Sequence, residues 1–467
     1  MSRRTFKGGV HPPEHKDKTK DLAIESVFPF TKTVVIPVTQ GGAPNQPLVK
    51  VGDTVARGQK IAASDAFMSV PVHASIAGVV KKIEPRAVTG NIDALCITIV
   101  GDDSGTTAFM PPLDPFACSR EEALARVRDA GIAGMGGASF PAHVKLSPPK
   151  GKTIEYVIAN AAECEPYLTI DERTIAEQAE KVIDGLAIAM RIVSAPKGII
   201  VLEDNKASLV PGLREAVSKS GHNNITIEVC KTKYPQGGEK ILTLAVLGRE
   251  IPSGGLPADI GCVIQNVGTL RAVSEAFREG KPLIERGLTL SGGACETPKN
   301  ISVPIGTLVG DLIPERVTLR PGVAQIISGG PMMGIAMANA NFPIQKNTSG
   351  VLFLTRAETV LVNESPCIGC GFCMRACSCH LSPVLIMRAL NGGNYDEARR
   401  CGLMDCIECG SCAYVCPARI KLVQRFRVGK QLSREELRKK QELAEKCAAV
   451  QSSATGKGTA EQNSASD

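Results

Sequence analysis

Eight cysteines, set in two near-identical runs, constrain this chain more than any other feature. Residues 367–377 read CIGCGFCMRAC and residues 406–416 read CIECGSCAYVC, with Pro417 following the second. Both runs have the spacing C-x2-C-x2-C-x3-C, which suits a [4Fe–4S] cubane: three thiolates wrap one cluster from a tight loop. The fourth cysteine points away, and in two-cluster arrangements it ligates the other cubane. The expected sets are therefore Cys367, Cys370, Cys373 with Cys416, and Cys406, Cys409, Cys412 with Cys377. A segment tied together in this way should not fold without its metal.

Zinc sites generally use cysteine pairs separated by a longer gap. A disulfide framework does not suit a long chain whose first twenty residues are polar and charged. Ser378 replaces the proline expected after Cys377, and Cys379 comes next, so Cys379 is a competing ligand. Cys401 and Cys447 are spare, and a spare cysteine ordinarily serves as a small buried apolar residue. Seventeen cysteines, about half committed to clusters, point to a reducing cytoplasm.

At 467 residues the chain has room for about three or four domains. There is no tryptophan, so the cores must be aliphatic, and 46 glycines with 30 prolines imply many turns. The net charge of +7 gives no indication of nucleic acid. The most apolar long stretch, 182–202, is interrupted by Asp184, Arg191 and Lys197, so no transmembrane segment is expected. Work at a membrane would require docking on other subunits.

Taken in order, residues 1–30 read as an arm (GGVHPPEHK at 8–16) in which His11 and His15 make surface contacts. Residues 31–105 alternate valine and isoleucine with polar residues between Gly-Asp and Arg-Gly turns, the pattern of a small β unit. It is similar to the barrel-sandwich hybrid of lipoyl domains, but the tip, Asp65–Ser69, lacks the carrier lysine. Ser119 and Glu122 form a capping box opening a helix to Asp129. The stretch GIAGMGGASFPAHVKL (131–146) is a glycine-rich loop whose backbone can approach a phosphate. From Tyr156 to Cys230 the period reads β-α-β-α-β, a doubly wound Rossmann-like sheet within 115–282. NAAECEP (160–166) falls at a strand end, offering Asn160, Glu163 and Glu165 to a crevice or to the cap of the following helix. Gly238 and Glu239 open one helix, and Asn266 and Thr269 open another. Residues 283–345 read as a β-grasp (SLBB-like) unit, with Met332 and Met333 as core filler. Residues 360–430 hold the clusters in a ferredoxin-like α-helical domain, with the linking segment 381–403 helical apart from a break at 391–394. Residues 431–467 form a basic helix, facing solvent, anionic lipid or an acidic partner, and then a disordered tail from Val450.

This order of motifs resembles the family of C subunits of the Rnf complex from Gly8 to about Arg427. Its centre is also similar to the flavin-binding subunit of respiratory complex I. The resemblance implies a peripheral, NAD(H)-reactive subunit of a membrane-bound ion-translocating ferredoxin:NAD+ oxidoreductase, at the cytoplasmic face of the membrane. The implied cofactors are two [4Fe–4S] clusters and non-covalent FMN. The implied partners are NAD(H) and the membrane-embedded and ferredoxin-facing subunits. Carried over by position, Gly134, Gly136, Gly137 and Lys145 would cradle FMN. Asn160, Glu163, Gly238, Glu239 and Asn266 would complete that site, and Phe140 and Glu165 would face the nicotinamide nucleotide in the catalytic step. Met135, Ser139, Ala162 and Lys240 depart from the complex I pattern. A soluble cobalamin reductase and a non-enzymatic electron relay with a degenerate flavin site are the alternatives.

Overall fold

The computed structural model describes residues 4–27, 32–359 and 362–457, with side chains to residue 446. The chain forms two compact units, residues 1–362 and 363–467.

The first unit begins with a β sandwich. Thr33–Pro37, Ile92–Gly101, Gly78–Val88 and Thr54–Val55 lie side by side in one sheet, and Gln46–Pro47, Lys60–Ala63 and Val72–His73 form the other. Val34, Ile36, Ile61, Val80, Ile97 and Ile99 fill the space between them. These are the inward positions of the alternation seen in the sequence, because successive strand side chains point to opposite faces. The tip of the sandwich lies over the glycine-rich loop. Phe67 O accepts from the His143 ring at 2.9 Å, and a Cβ on Gly41 would come within 2.2 Å of Ser139 O.

The central layer is a parallel sheet in the order Ile225–Cys230, Lys197–Glu203, Tyr156–Ala161, Cys262–Asn266. The first helix is Arg120–Asp129, and the Ser119 capping box closes on both sides as expected. The long helix runs Ile170–Val193 and bends at Gln178, whose φ/ψ is not helical. It buries Val182, Leu186 and Met190 against the sheet and against the helix Val267–Arg278. The strand order reverses at Tyr156–Ala161, which pairs with Lys197–Glu203 on one side and Cys262–Asn266 on the other. Such a reversal opens a crevice beyond the strands' carboxyl ends. Asn160 and Asn266 are register partners at that point.

The third layer is a six-stranded mixed sheet in the order Ile24–Ser26, Lys299–Pro304, Glu285–Ser291, Gly350–Leu354, Gln325–Ser328, Ile335–Met337. It differs from the expected unit ending at residue 345. The fully buried strand Gly350–Leu354 sits inside the sheet, between Glu285–Ser291 and Gln325–Ser328. Met332 and Met333 are not core filler: Met333 is 44% exposed, and both lie in the turn between two strands. The N-terminal arm is tied to both the central layer and this sheet. Val10 pairs with Tyr234, His15 stacks on Tyr167, and Ile24–Ser26 forms the edge strand.

The second unit is helical. Phe372–Ala376, Pro383–Asn391, Tyr395–Arg400 and Ser411–Tyr414 pack with the long helix Leu422–Lys457 round Ile386, Leu403, Val423 and Phe426. The break after Asn391 is present, and Asn394 caps the next helix by accepting from Glu397 N at 2.9 Å. The long helix continues to Lys457, past the point where disorder was expected, and residues 458–467 lie outside the described residues. Its first basic residues turn inward: Arg425 pairs with Glu364, and Arg427 and Lys430 pair with Glu408.

Candidate functional site: a glycine-lined crevice and two cysteine nests

The segments singled out in the first unit converge at the strand reversal. Gly134 N donates to Phe140 O at 2.8 Å, which closes 134–140 into a loop. Gly137 at its apex has φ +108°, a conformation that side chains other than glycine's resist. A Cβ on Gly136 would come 3.6 Å from the Asn266 Cβ, so the loop and the strand end face each other closely. Met135 N donates to Thr269 Oγ1 at 3.0 Å, tying the loop to the start of the helix Val267–Arg278. Lys145 bonds the Glu239 carboxylate and donates to Ile264 O at 3.0 Å. Asn160 Nδ2 donates to Gly237 O at 2.8 Å. Asn266 caps its helix through Gly268 N at 2.8 Å and donates to Asp171 at 2.7 Å.

Three expected site residues are placed differently from the simplest carry-over. The Glu163 carboxylate accepts from the Asp171 and Glu172 amides at 2.7 and 3.1 Å, so it caps the long helix. The Glu165 carboxylate accepts from Met332 N and Met333 N at 3.0 and 2.8 Å, held by the turn of the third-layer sheet. A Cβ on Gly330 would come within 2.2 Å of Glu165 Oε2, so that turn depends on glycine. Phe140 contributes its carbonyl to the loop closure, and its ring is half-buried. Burial pushes the Glu165 carboxyl up to about 7, although the two amides favour its ionised form.

Sequence reasoning missed a set of charged residues underneath the crevice. Lys16, from the arm, donates to Glu163 O at 2.5 Å, and Lys206 donates to Ala162 O at 2.8 Å. Burial and then the neighbouring Lys206 lower the Lys16 pKa. Burial and the adjacent Glu163 push Asp171 up to about 7. Arg286 donates to Thr348 O and Met135 O, and burial lowers it to about 10. Asp171 could have been suspected as an acid one turn from NAAECEP. Lys16 and Arg286 are lone cations in sequence, and no motif marks them.

A phosphorylated flavin fits these residues. The helix Glu239–Leu247 starts at Gly238 with no side-chain cap, and the positive end of a helix favours an anion. Gly136 and Gly137 are exposed, and a side chain on Gly136 would narrow the gap to Asn266. Two buried amides flanking the crevice residues, Gln236 and Gln265, have side-chain atoms with no hydrogen-bond partner among the described residues. Buried amides ordinarily find partners.

In the second unit the eight cysteines fall into two nests. One cavity is lined by Cys367, Cys370, Cys373 and Cys416, and another by Cys377, Cys406, Cys409 and Cys412. The groups cross over between the two runs, so each fourth cysteine sits with the other run's three. Cys379 also lines the second cavity. Burial pushes the Cys406 thiol up to about 11 and raises Cys412 too, with the neighbouring cysteines adding to both shifts. Four thiolates held that close need cationic charge among them, which a cubane supplies. No three His, Cys, Asp or Glu side chains among the described residues converge on a single-ion site. Thiolates spaced round a four-iron body have no need to.

Similarity to known proteins follows the same divisions. The RnfC barrel sandwich hybrid domain family matches residues 4–104, the Nuo51 FMN-binding domain family residues 127–275, and the 4Fe-4S dicluster domain family residues 359–417. The chain is 43% identical over 428 residues to the C subunit of the proton-translocating ferredoxin:NAD(+) oxidoreductase complex of Clostridium ljungdahlii, covering 91% of this chain and 93% of that one. The chain belongs to the RnfC family. Another member, from the Na(+)-translocating complex of Acetobacterium woodii, is 40% identical, covering 91% of this chain and 96% of that one. An NAD+-reducing [NiFe]-hydrogenase structure superposes with a TM-score of 0.48 at 20% identity, over 60% of this chain and 55% of that one. Family membership accounts for the three architectures on one chain, and no described helix is long and apolar enough to cross a membrane.

Proposed function

We propose that this chain is the peripheral NAD(H)-reactive subunit of an ion-translocating ferredoxin:NAD+ oxidoreductase, carrying FMN in the crevice and a [4Fe–4S] cluster in each cysteine nest. The observation that carries the reading is the presence, in one chain of this family, of a glycine-lined crevice and two crossed four-cysteine nests. FMN, when bound, converts the paired electrons of a hydride into the single electrons that iron–sulfur clusters take. The Gly136–Gly137 backbone, the uncapped helix at Gly238 and the Lys145 ammonium bind and orient the phosphate-bearing end. Asn160 and Asn266, at the strand reversal, fix the width of the crevice. Glu163 acts by capping the helix Ile170–Val193 and so setting the floor. Glu165, with a carboxyl near 7, can hold or release a proton at the edge facing the nicotinamide nucleotide.

The protein works at the cytoplasmic face of the membrane, docked on membrane-embedded and ferredoxin-facing partners. The test is reconstitution with FMN, iron and sulfide, followed by anaerobic NADH titration. Bleaching of the flavin and of iron–sulfur absorbance is expected. A reconstituted protein that binds FMN and iron but stays oxidised under excess NADH overturns the reading in favour of a passive relay.

A further inference from the structure

The two cysteine loops are near copies that differ at their sixth residue, Phe372 against Ser411, and at their third, Gly369 against Glu408: CIGCGFC against CIECGSC. The backbone there is left-handed in both, with φ +69° at Gly369 and +56° at Glu408. Glycine takes that conformation freely, whereas a glutamate resists it. The first loop does not exclude a side chain at this position, since a Cβ on Gly369 would meet nothing within 4 Å. The second loop therefore carries a strained carboxylate that its own repeat shows to be dispensable for the loop.

Glu408 is held in place by cations. Its Oε1 accepts from Lys430 Nζ at 2.8 Å and its Oε2 from Arg427 Nε at 3.1 Å. Lys430 is 7% exposed and also donates to Cys406 O at 2.6 Å, which puts its ammonium against the backbone of a ligand. Glu408 N lies 3.4 Å from Cys406 Sγ and donates to it. In the first loop, Cys367 and Cys370 are exposed to solvent. One nest thus opens to water, with Arg388 also lining its cavity, and the other has at its edge a carboxylate held between a buried ammonium and a part-exposed guanidinium.

From this asymmetry we infer that Lys430, Glu408 and Arg427 form a potential-setting group for the cubane held by Cys377, Cys406, Cys409 and Cys412, and for that one alone. The inference rests on the two-cluster reading above. Reduction adds one electron to a cubane without breaking a bond. A nearby fixed cation favours the reduced form and a nearby carboxylate opposes it, the more strongly where water is excluded. Lys430 raises the readiness of this site to accept an electron, and Glu408 restrains it.

The test is an EPR-monitored redox titration of the iron-loaded full chain. The wild-type protein must first show iron in the amount of two cubanes and two separable couples; if it does not, the cluster reading itself fails. In Lys430→Met, one couple's reduced-to-oxidised ratio at fixed applied potential is expected to fall about tenfold, a 59 mV shift for a one-electron couple. In Glu408→Gly, which restores the residue of the sister loop at a left-handed position, the same couple moves the opposite way. In Gly369→Glu the other couple moves down, which assigns the two signals. Should Lys430→Met fail to take up iron, Glu408→Gly decides the matter alone. Unmoved couples, shifts of one sign in both Lys430→Met and Glu408→Gly, or equal shifts in both couples would each overturn the inference.

Discussion

The crevice of the first unit and the nests of the second solve the same problem, holding a redox group, by opposite means. The crevice is braced by the protein's own bonds: Asn266 to Asp171, and Glu163 to the amides of a long helix. It rests on a large aliphatic core running from Ala123 to Ile305. The nests have a small core and eight cysteines, and burial holds several of these as neutral thiols unless a metal is there to take the thiolate. The difference teaches where order comes from: in one region the polypeptide makes the site, and in the other the site makes the polypeptide.

The strongest way to break this comparison is to remove iron. Chelation under reducing conditions, or Cys412→Ser, is expected to abolish amide protection in Pro383–Asn391 and Tyr395–Arg400 while leaving Ile170–Val193 protected. Hydrogen exchange read by mass spectrometry checks this, and retained protection in the cysteine unit would erase the contrast. Next comes Lys346, buried in the first unit, where it donates to Pro71 O and Gly131 O at 2.8 and 2.7 Å. Burial lowers its pKa from 10.5 to about 7. Between those values the unfolded chain binds a proton that the folded one does not. Stability should therefore rise with pH across that window, and fall as pH drops toward 7, below which this contribution levels off. Lys346→Met should flatten that slope, an effect on the order of a few kcal/mol, measured by urea unfolding at several pH values.

Lys145→Ala sharpens the comparison from the ligand side. Loss of a charged hydrogen bond is worth about 2 kcal/mol, so FMN affinity should fall roughly thirtyfold. The melting temperature of the flavin-free protein should hardly change, because Glu239 remains favourably placed at a helix start. Fluorescence titration and a thermal melt together check both halves. The smallest effect is Ser119→Ala, which removes the cap of the helix Arg120–Asp129 and should cost about 1 kcal/mol by denaturant unfolding.

What the sequence disclosed follows the same contrast. The crossed nests were legible because cubane chemistry dictates cysteine spacing, and spacing is a one-dimensional quantity. The glycine-rich loop, Asn160 and Asn266 were legible because strand ends and helix starts carry local signals. Glu163 and Glu165 were found as residues, but their partners were not. The amides of Met332 and Met333 lie more than 160 residues away from Glu165, and nothing local announces them. Lys16 under the crevice and Lys346 between layers were invisible for the same reason: a buried lysine reads in sequence like any solvated one. The central strand Gly350–Leu354 was missed because a short apolar run beyond an irregular segment carries no period of its own.

The edge strand Ile24–Ser26 has a consequence for how the protein is made. It pairs in parallel with Lys299–Pro304, so a segment translated among the first waits for a partner some 275 residues behind it. At typical elongation rates that is a delay on the order of tens of seconds. During that time the arm can settle against Tyr167 and Tyr234, but Ile24–Ser26 has no strand to pair with, and any chain cut short before residue 300 leaves that edge strand unmatched.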